Sequence, residues 1–327
     1  MLRFATVLTA ILLMAFQVAP PTLPPRLAAL ADDVGAARDF DYMALKAEGA
    51  DLKMLADAVH MRARPQDDQI RRCLTEAEQE LQTNLSAAAL APDGAAFAAD
   101  RVAAGEALAK WGALEVRMQG GEEFAEQPLR SASRRFMHAQ QAYDPRVREL
   151  ARRTGVDQFN RFAFTEGAKV WGELSPGALS RAHSEISHRL CEIDKSNTEW
   201  LKADLRANGW FVASRFDQAA SGYAWLITQH ADNDPAFQRE VLAILEPMVA
   251  TGETSASNFA YLYDRVAVGS GRPQRYGTQG TCTATNVWTP DPLEDPDRVE
   301  TLRAAVGIDT LAEYQAHMHS FCADFTD

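Results

Sequence analysis

The stretch AWLITQHADNDPAFQREVLAILEPMVATGETSASNFAYLYDRVAVGSGRPQRYGTQ, residues 224–279, decides the fold because helix signals punctuate it throughout. Residues 221–231 are an apolar helix that runs out in the polar sequence Gln229-His230-Ala231-Asp232. Asp234-Pro235 follows, an N-cap plus a proline at the first helical position, where its missing N–H costs nothing. Phe237, Val241, Leu245 and Met248 then recur on one helical face and predict a core-facing stripe. Pro247 is expected to kink or end that helix and Gly252 to close it. A further helix starts at Thr254 or Ser255, buries Phe259, Leu262 and Val266, and stops at Gly269 or Gly271.

Outward from this stretch the same reading holds. Residues 32–208 are rich in Ala, Leu, Glu, Gln and Arg with few β-branched runs, a composition that favours helices. Apolar residues at three- and four-residue intervals mark helices over 43–63 and 95–119, the second stopped by Gly120-Gly121. Pro65 and Asp144-Pro145 mark breaks, and a turn at Ser175-Pro176-Gly177 leads into a long helix ending near Asn208-Gly209. On the C-terminal side, a short extended piece surrounds Val287-Trp288. Asp295-Pro296 opens another helix ending at Gly307, and a capping box at Thr310 to Glu313 starts a last one through His317. The expected fold is mainly α, a helical bundle or array with at most a small β-hairpin near the C-terminus.

With 327 residues, 46% hydrophobic and 24% charged, the composition is that of an ordinary globular protein. The net charge of -12, without a basic stripe, argues against nucleic acid or an anionic membrane as partner. Arg3 followed by the uncharged run FATVLTAILLMAF reads as an export signal, too short to favour a transmembrane span. Cleavage is expected after Ala29-Leu30-Ala31, beyond a Pro-rich spacer; an uncleaved N-terminal anchor is the alternative. No other membrane-spanning segment is expected, and the location is periplasmic or secreted. Cys73, Cys191, Cys282 and Cys322 permit two disulfides in that compartment, with three connectivities. Cys282 with Cys322 and Cys73 with Cys191 is the expected pairing, since the first would staple the C-terminal segment to the YGTQ loop; four free thiols is the alternative. The chain divides into residues 1–31, signal peptide and spacer; 32–147, a helical region; and 148–327, a helical domain carrying the polar motifs.

Those motifs are Asp157-Gln158-x-x-Arg161; Asp194-x-x-Asn197-Thr198-x-x-Leu201; Gly209-Trp210; Gln229-His230-Ala231-Asp232; Asp264-Arg265; and Gln274-x-Tyr276-Gly277-Thr278-Gln279. Together they resemble an uncharacterised family of bacterial proteins, a domain of unknown function often found behind export signals. The resemblance spans about residues 148–314 and implies that 32–147 is an extension the family does not usually carry. Phe211, Val212 and Asp217 stand where the family has Pro, Thr and Gly. The resemblance supplies positions without a reaction.

The residues themselves suggest chemistry. His230 beside Asp232 and Asp234 could be a proton acceptor oriented by a carboxylate, although Asp234 is better explained as an N-cap. No second His lies at a ligand spacing, so no metal site is expected. Asp264 has poor propensity for the interior of a helix, which implies a specific partner such as Arg161, Gln279 or a ligand; a buried ion pair locking two helices is the plain alternative. The amides, hydroxyl and aromatic ring of Gln274, Tyr276, Thr278 and Gln279 suit a neutral hydroxylated or peptide-like ligand, or else satisfy the loop's own backbone. Asp157 and Arg161, four apart on one helical face, could pair, and Asp68-Gln69-x-x-Arg72 repeats that pattern. His183, His188, His317 and His319 read as surface or C-terminal helix residues.

Three functions therefore stand open. The first is a periplasmic or cell-envelope binding module whose site takes in Asp157, Gln158, Arg161, Gln229, Asp232, Arg265, Gln274, Tyr276, Thr278 and Gln279, with a small molecule, a cell-wall component or a protein as partner. The second is a hydrolase-like enzyme using His230 or Asp264 as acid/base, with Arg161 or Arg265 neutralising developing charge. The third is a buried polar network with a structural role. No cofactor is indicated, and the sequence leaves the enzyme question open.

Overall fold

The computed structural model describes residues 22–64, 71–125 and 127–323. The expected export signal and Asp68, Gln69 and Ile70 lie outside the described residues. Within them are sixteen α-helices and one two-stranded antiparallel hairpin. The N-terminal part comprises α1 (Pro25–Leu30), α2 (Val34–Asp39), α3 (Tyr42–Ala47), α4 (Leu52–Met61), α5 (Glu76–Leu90), α6 (Gly94–Gln119) and α7 (Leu129–Gln141). The remainder is α8 (Pro145–Arg161), α9 (Ala163–Trp171), α10 (Pro176–Asn208), α11 (Ala213–Phe216), α12 (Gln218–Gln229), α13 (Pro235–Val249), α14 (Ala256–Gly269), β1 (Gly280–Ala284), β2 (Val287–Pro290), α15 (Val299–Ala305) and α16 (Leu311–His319).

Capping chemistry sets most of these boundaries. The side chains of Asp144, Ser175, Asp234 and Ser255 accept backbone N–H groups at the starts of α8, α10, α13 and α14, and Thr310 and Glu313 form a reciprocal capping box on α16. Three boundaries differ from the sequence reading. The apolar pattern over 43–63 is split into α3 and α4, because Gly49 takes a φ of 86° and Asp51 caps a new helix. Pro247 lies inside α13, which continues to Val249, so it neither begins nor ends the element. Near the C-terminus α15 starts at Val299 rather than at Asp295-Pro296.

Three apolar clusters form the core. Leu27, Leu45, Leu55, Val59, Leu81 and Leu85 pack α1 and α3–α5 together. Trp111, Met118, Phe136, Phe159, Trp171 and Ile186 join α6–α10. Leu150, Leu201, Phe211, Ile227, Val241 and Leu262 join α8, α10 and α12–α14. Helix α10, 33 residues and so about 50 Å long, runs through the last two clusters and also packs along α5. The proposed N-terminal region thus shares packing with the domain that follows it.

Helix α1 bears on the expected cleavage position. Its Leu27 is fully buried in the first cluster, and a cut after Ala31 would remove it. That position conflicts with the packing.

Both disulfides form as expected from the sequence. Cys73 bonds Cys191, tying the entry to α5 onto α10, and Cys282 bonds Cys322, tying β1 to the C-terminal turn. In the hairpin Thr281 faces Thr289 and Cys282 faces Trp288, with an irregularity before Ala284. Among the described residues no helix is long and apolar enough to cross a membrane.

Candidate functional site

Two polar assemblies emerge from the motif residues, and they are built differently. The first gathers residues distant in sequence. Asp157 and Arg161 occupy the last turns of α8, Asp194 the middle of α10, and His230 the C-cap of α12. Arg161 Nε donates to Asp157 Oδ1 at 2.9 Å, and its Nη2 lies 2.7 and 2.8 Å from the two oxygens of Asp194. Gln158 Nε2 donates to Asp157 Oδ2 at 3.0 Å. His230 Nδ1 is 2.9 Å from the same oxygen and 3.1 Å from Arg161 Nε.

These distances select a tautomer. If Nδ1 carried a lone pair, it would face a carboxylate oxygen at 2.9 Å with no hydrogen between them. Arg161 Nε–H also points at Nδ1 from 3.1 Å, but its shorter bond, at 2.9 Å, goes to Asp157 Oδ1, so the hydrogen is assigned to Nδ1, which donates to Asp157 Oδ2. The opposite nitrogen, Nε2, keeps its lone pair. It has no hydrogen-bond partner among the described residues and is not among the fully buried unpartnered atoms.

Burial and charge act in opposite directions here. Asp157 is 2% exposed, and burial alone would raise its pKa, yet His230, Arg161 and Gln158 outweigh this and hold it well below the usual carboxylate range. For Asp194 burial dominates; with Asp157 as a second negative neighbour it overcomes the pull of Arg161 and pushes the pKa up to about 7. Burial also lowers the His230 pKa, assisted by Arg161 and Arg265 and opposed by Asp157. At neutral pH the imidazole is uncharged with a free acceptor nitrogen.

Asp157, Asp194 and His230 each place one potential ligand atom within 4.8 Å of the others, a grouping the sequence spacing does not reveal. Arg161 lies among them and contacts all three, so a guanidinium supplies the positive charge that these donors face.

The second assembly closes a loop. Asp264, expected as an alternative acid/base, is fully buried and accepts the N–H groups of Arg275 at 2.8 Å, Tyr276 at 3.0 Å and Thr278 at 2.9 Å, plus the Thr278 hydroxyl at 3.0 Å. Burial pushes its pKa up against the pull of those donors. Its partner is thus the loop backbone rather than Arg161, Gln279 or another helix. The Gln274 amide donates to the carbonyls of Gln279 and Asp291 and accepts from Gln279 N–H, and Gln279 Nε2 donates to Thr278. Arg303, 1% exposed, donates to the Tyr276 carbonyl at 2.6 Å and holds the loop to α15. Gly277, at φ 71°, is required: a Cβ there would lie 2.9 Å from Leu311 Cδ1. Most of the polar atoms of the YGTQ loop are therefore engaged with the loop itself.

Arg265 and Asp232 lie between these assemblies. Arg265 Nη1 is 2.8 Å from both oxygens of Asp232, which also accepts from Gln238. Gln229 is buried, with its Oε1 unpartnered and its carbonyl accepting from Gln238. Asp234 caps α13 and pairs with Lys202.

A family model described as a family of unknown function, DUF6624, matches residues 148–321, more than half of the chain. The chain belongs to DUF6624. Neither the curated proteins nor the solved structures compared with the chain match it. Every residue of the Asp157–Arg161–Asp194–His230 cluster falls inside the DUF6624 stretch, as does the Asp264 loop. Sequence spacing sets Asp194 beside Asn197 and Thr198 but does not bring it to the candidate site; the fold does. Thr198 Oγ1 donates to the Asp194 carbonyl, and Arg153 donates to Asn197, so those neighbours brace α10 around it. Two of the departures from the resembled pattern have local roles: Arg146 stacks 4.3 Å over Phe211, and Asp217 takes a φ of 90° while capping α12.

Proposed function

We propose that this exported, periplasmic or secreted protein carries a proton-transfer site at the Asp157–Arg161–Asp194–His230 cluster, with His230 as general base. The supporting observation is the orientation of one imidazole: Nδ1–H is held by a buried carboxylate, while Nε2 is left without a partner. This is the arrangement in which a neutral histidine takes a proton from water or a hydroxyl as that oxygen attacks a substrate. The imidazolium so formed is stabilised by Asp157, and the proton is returned to the leaving group. Arg161 fixes both carboxylates and offers positive charge near the reacting atoms. The reaction class is hydrolysis or transfer by an activated hydroxyl.

The test is complementation of a deletion strain with His230→Gln, which keeps a polar side chain but no imidazole. The variant is expected to fold and be exported yet fail to restore the phenotype. A folded His230→Gln protein that restores it fully contradicts proton transfer by His230 and favours a binding or structural role for the cluster.

A further inference from the structure

A second polar feature lies one side of this cluster. A cavity of about 560 Å³ opens between the N-terminal helices and α10, a volume suited to a small metabolite. Its walls come from the end of α4, the segment entering α5, α5 itself, one face of α10 and the α12–α13 connection. Three imidazoles line it, those of His60, His183 and His188, together with the guanidinium groups of Arg64, Arg71 and Arg72. In a chain with a net charge of -12 this is a local reversal of sign.

The cations differ in availability. Arg72 is bound by the buried Glu78, whereas Arg64 and Arg71 form no ion pair among the described residues. Asp232, the carboxylate in the lining, is already paired with Arg265. The connecting residues 65–70, which include Asp67 and Asp68, lie outside the described residues. Hydroxyls of Ser180, Ser184 and Ser187 follow one face of α10, and Gln79 and Gln82 bond to Ser184 across the cavity wall. The Nδ1 of His188 is buried without a partner, the kind of group that a bound ligand satisfies.

We infer that this cavity binds a small, hydroxyl-bearing anion of the size of a sugar phosphate or sugar acid. Arg64 and Arg71 supply charge, and the imidazoles and serines supply directional hydrogen bonds. Burial holds His60 and His183 below the ordinary histidine pKa, so near neutral pH they act as uncharged donors and acceptors. Much of the lining lies before residue 148, outside the DUF6624 match. The ligand selected there is consequently a property of this chain's N-terminal helices. The inference does not depend on His230 acting as a base.

Calorimetry on the purified protein with glucose 6-phosphate, glucuronate, inorganic phosphate and neutral glucose tests it. At least one sugar anion is expected to bind with a Kd of about 1 mM or tighter, at least about tenfold below glucose. Arg64→Gln with Arg71→Gln, at exposed positions, is expected to weaken that binding at least about fivefold while His230→Gln leaves it unchanged. The two sugar anions distinguish a phosphate from a carboxylate ligand, and phosphate alone measures the contribution of the hydroxyls. Amide shifts on titration that fall together at residues 60–64, 71–86 and 180–191 would locate the ligand in this cavity. Three results overturn the inference: no sugar anion binding with a Kd of about 1 mM or tighter, glucose binding less than about tenfold more weakly, or a double variant whose affinity falls less than about fivefold.

Discussion

Removing the Asp264 carboxylate with Asp264→Ala leaves four donors facing an empty position: the N–H groups of Arg275, Tyr276 and Thr278 and the Thr278 hydroxyl, all within 3.0 Å in the native protein. Hydrogen bonds to a charged group contribute about 1.5–3 kcal/mol each, which would sum to several kcal/mol if the loop could not move. Two effects reduce this. Burying the carboxylate already carries a desolvation cost, and the loop can open to let water reach the orphaned donors. The expected net loss is about 3–5 kcal/mol. Urea unfolding followed by far-UV circular dichroism, with both disulfides intact, measures it. The same variant should leave the His230 imidazole signals unchanged, because the hydrogen bonds of Asp264 end in the 275–278 segment. A loss below about 1 kcal/mol, or a displaced His230 signal, would refute the assignment of Asp264 to the loop alone.

Other expectations follow from single residues. Gly277→Ala should destabilise by about 2–3 kcal/mol in the same assay, since it combines a positive φ with a close approach to Leu311. Asp217→Gly should melt at or above the native temperature because it relieves a φ of 90°, whereas Asp217→Ala keeps the strain, loses the cap and should lose about 1 kcal/mol. Asp194 has a folded pKa raised from 3.8 to about 7, so its contribution to stability is complete below pH 3.8 and is lost as pH rises toward 7. Asp194→Asn should remove that component from the curve of stability against pH. His230, with a folded pKa below 6.5, acts in the opposite sense: its contribution is present above pH 6.5 and falls as acid protonates it.

The local elements were legible because caps and apolar stripes are written in consecutive residues. Asp234, Ser255 and Thr310 mark helix starts through groups that act within four residues, and Phe237, Val241 and Leu245 mark a buried face. The mainly helical class and the small hairpin follow from the same signals. The DQxxR and QHAD motifs do meet, through Asp157, Arg161 and His230, but spacing could not show that Asp194 completes them from the middle of another helix. Nor could it show that Asp264 turns away to serve the backbone of its own loop: an Asp inside a helix announces a partner without naming it. His183 and His188 read as surface residues because the wall facing them is supplied by helices more than 90 positions earlier in the chain. The position of Leu27 in a core was hidden in the same way, by a spacer-like run of prolines on either side of Thr22 and Leu23.

The proposed site depends above all on the protonation of one imidazole. Long-range nitrogen–proton NMR on the folded protein at pH 7 should show His230 neutral, with hydrogen on Nδ1 and none on Nε2, and a titration midpoint below 6.5 that shifts in Asp157→Asn. A His230 that is doubly protonated at that pH, or that carries its hydrogen on Nε2, would contradict the proposed site.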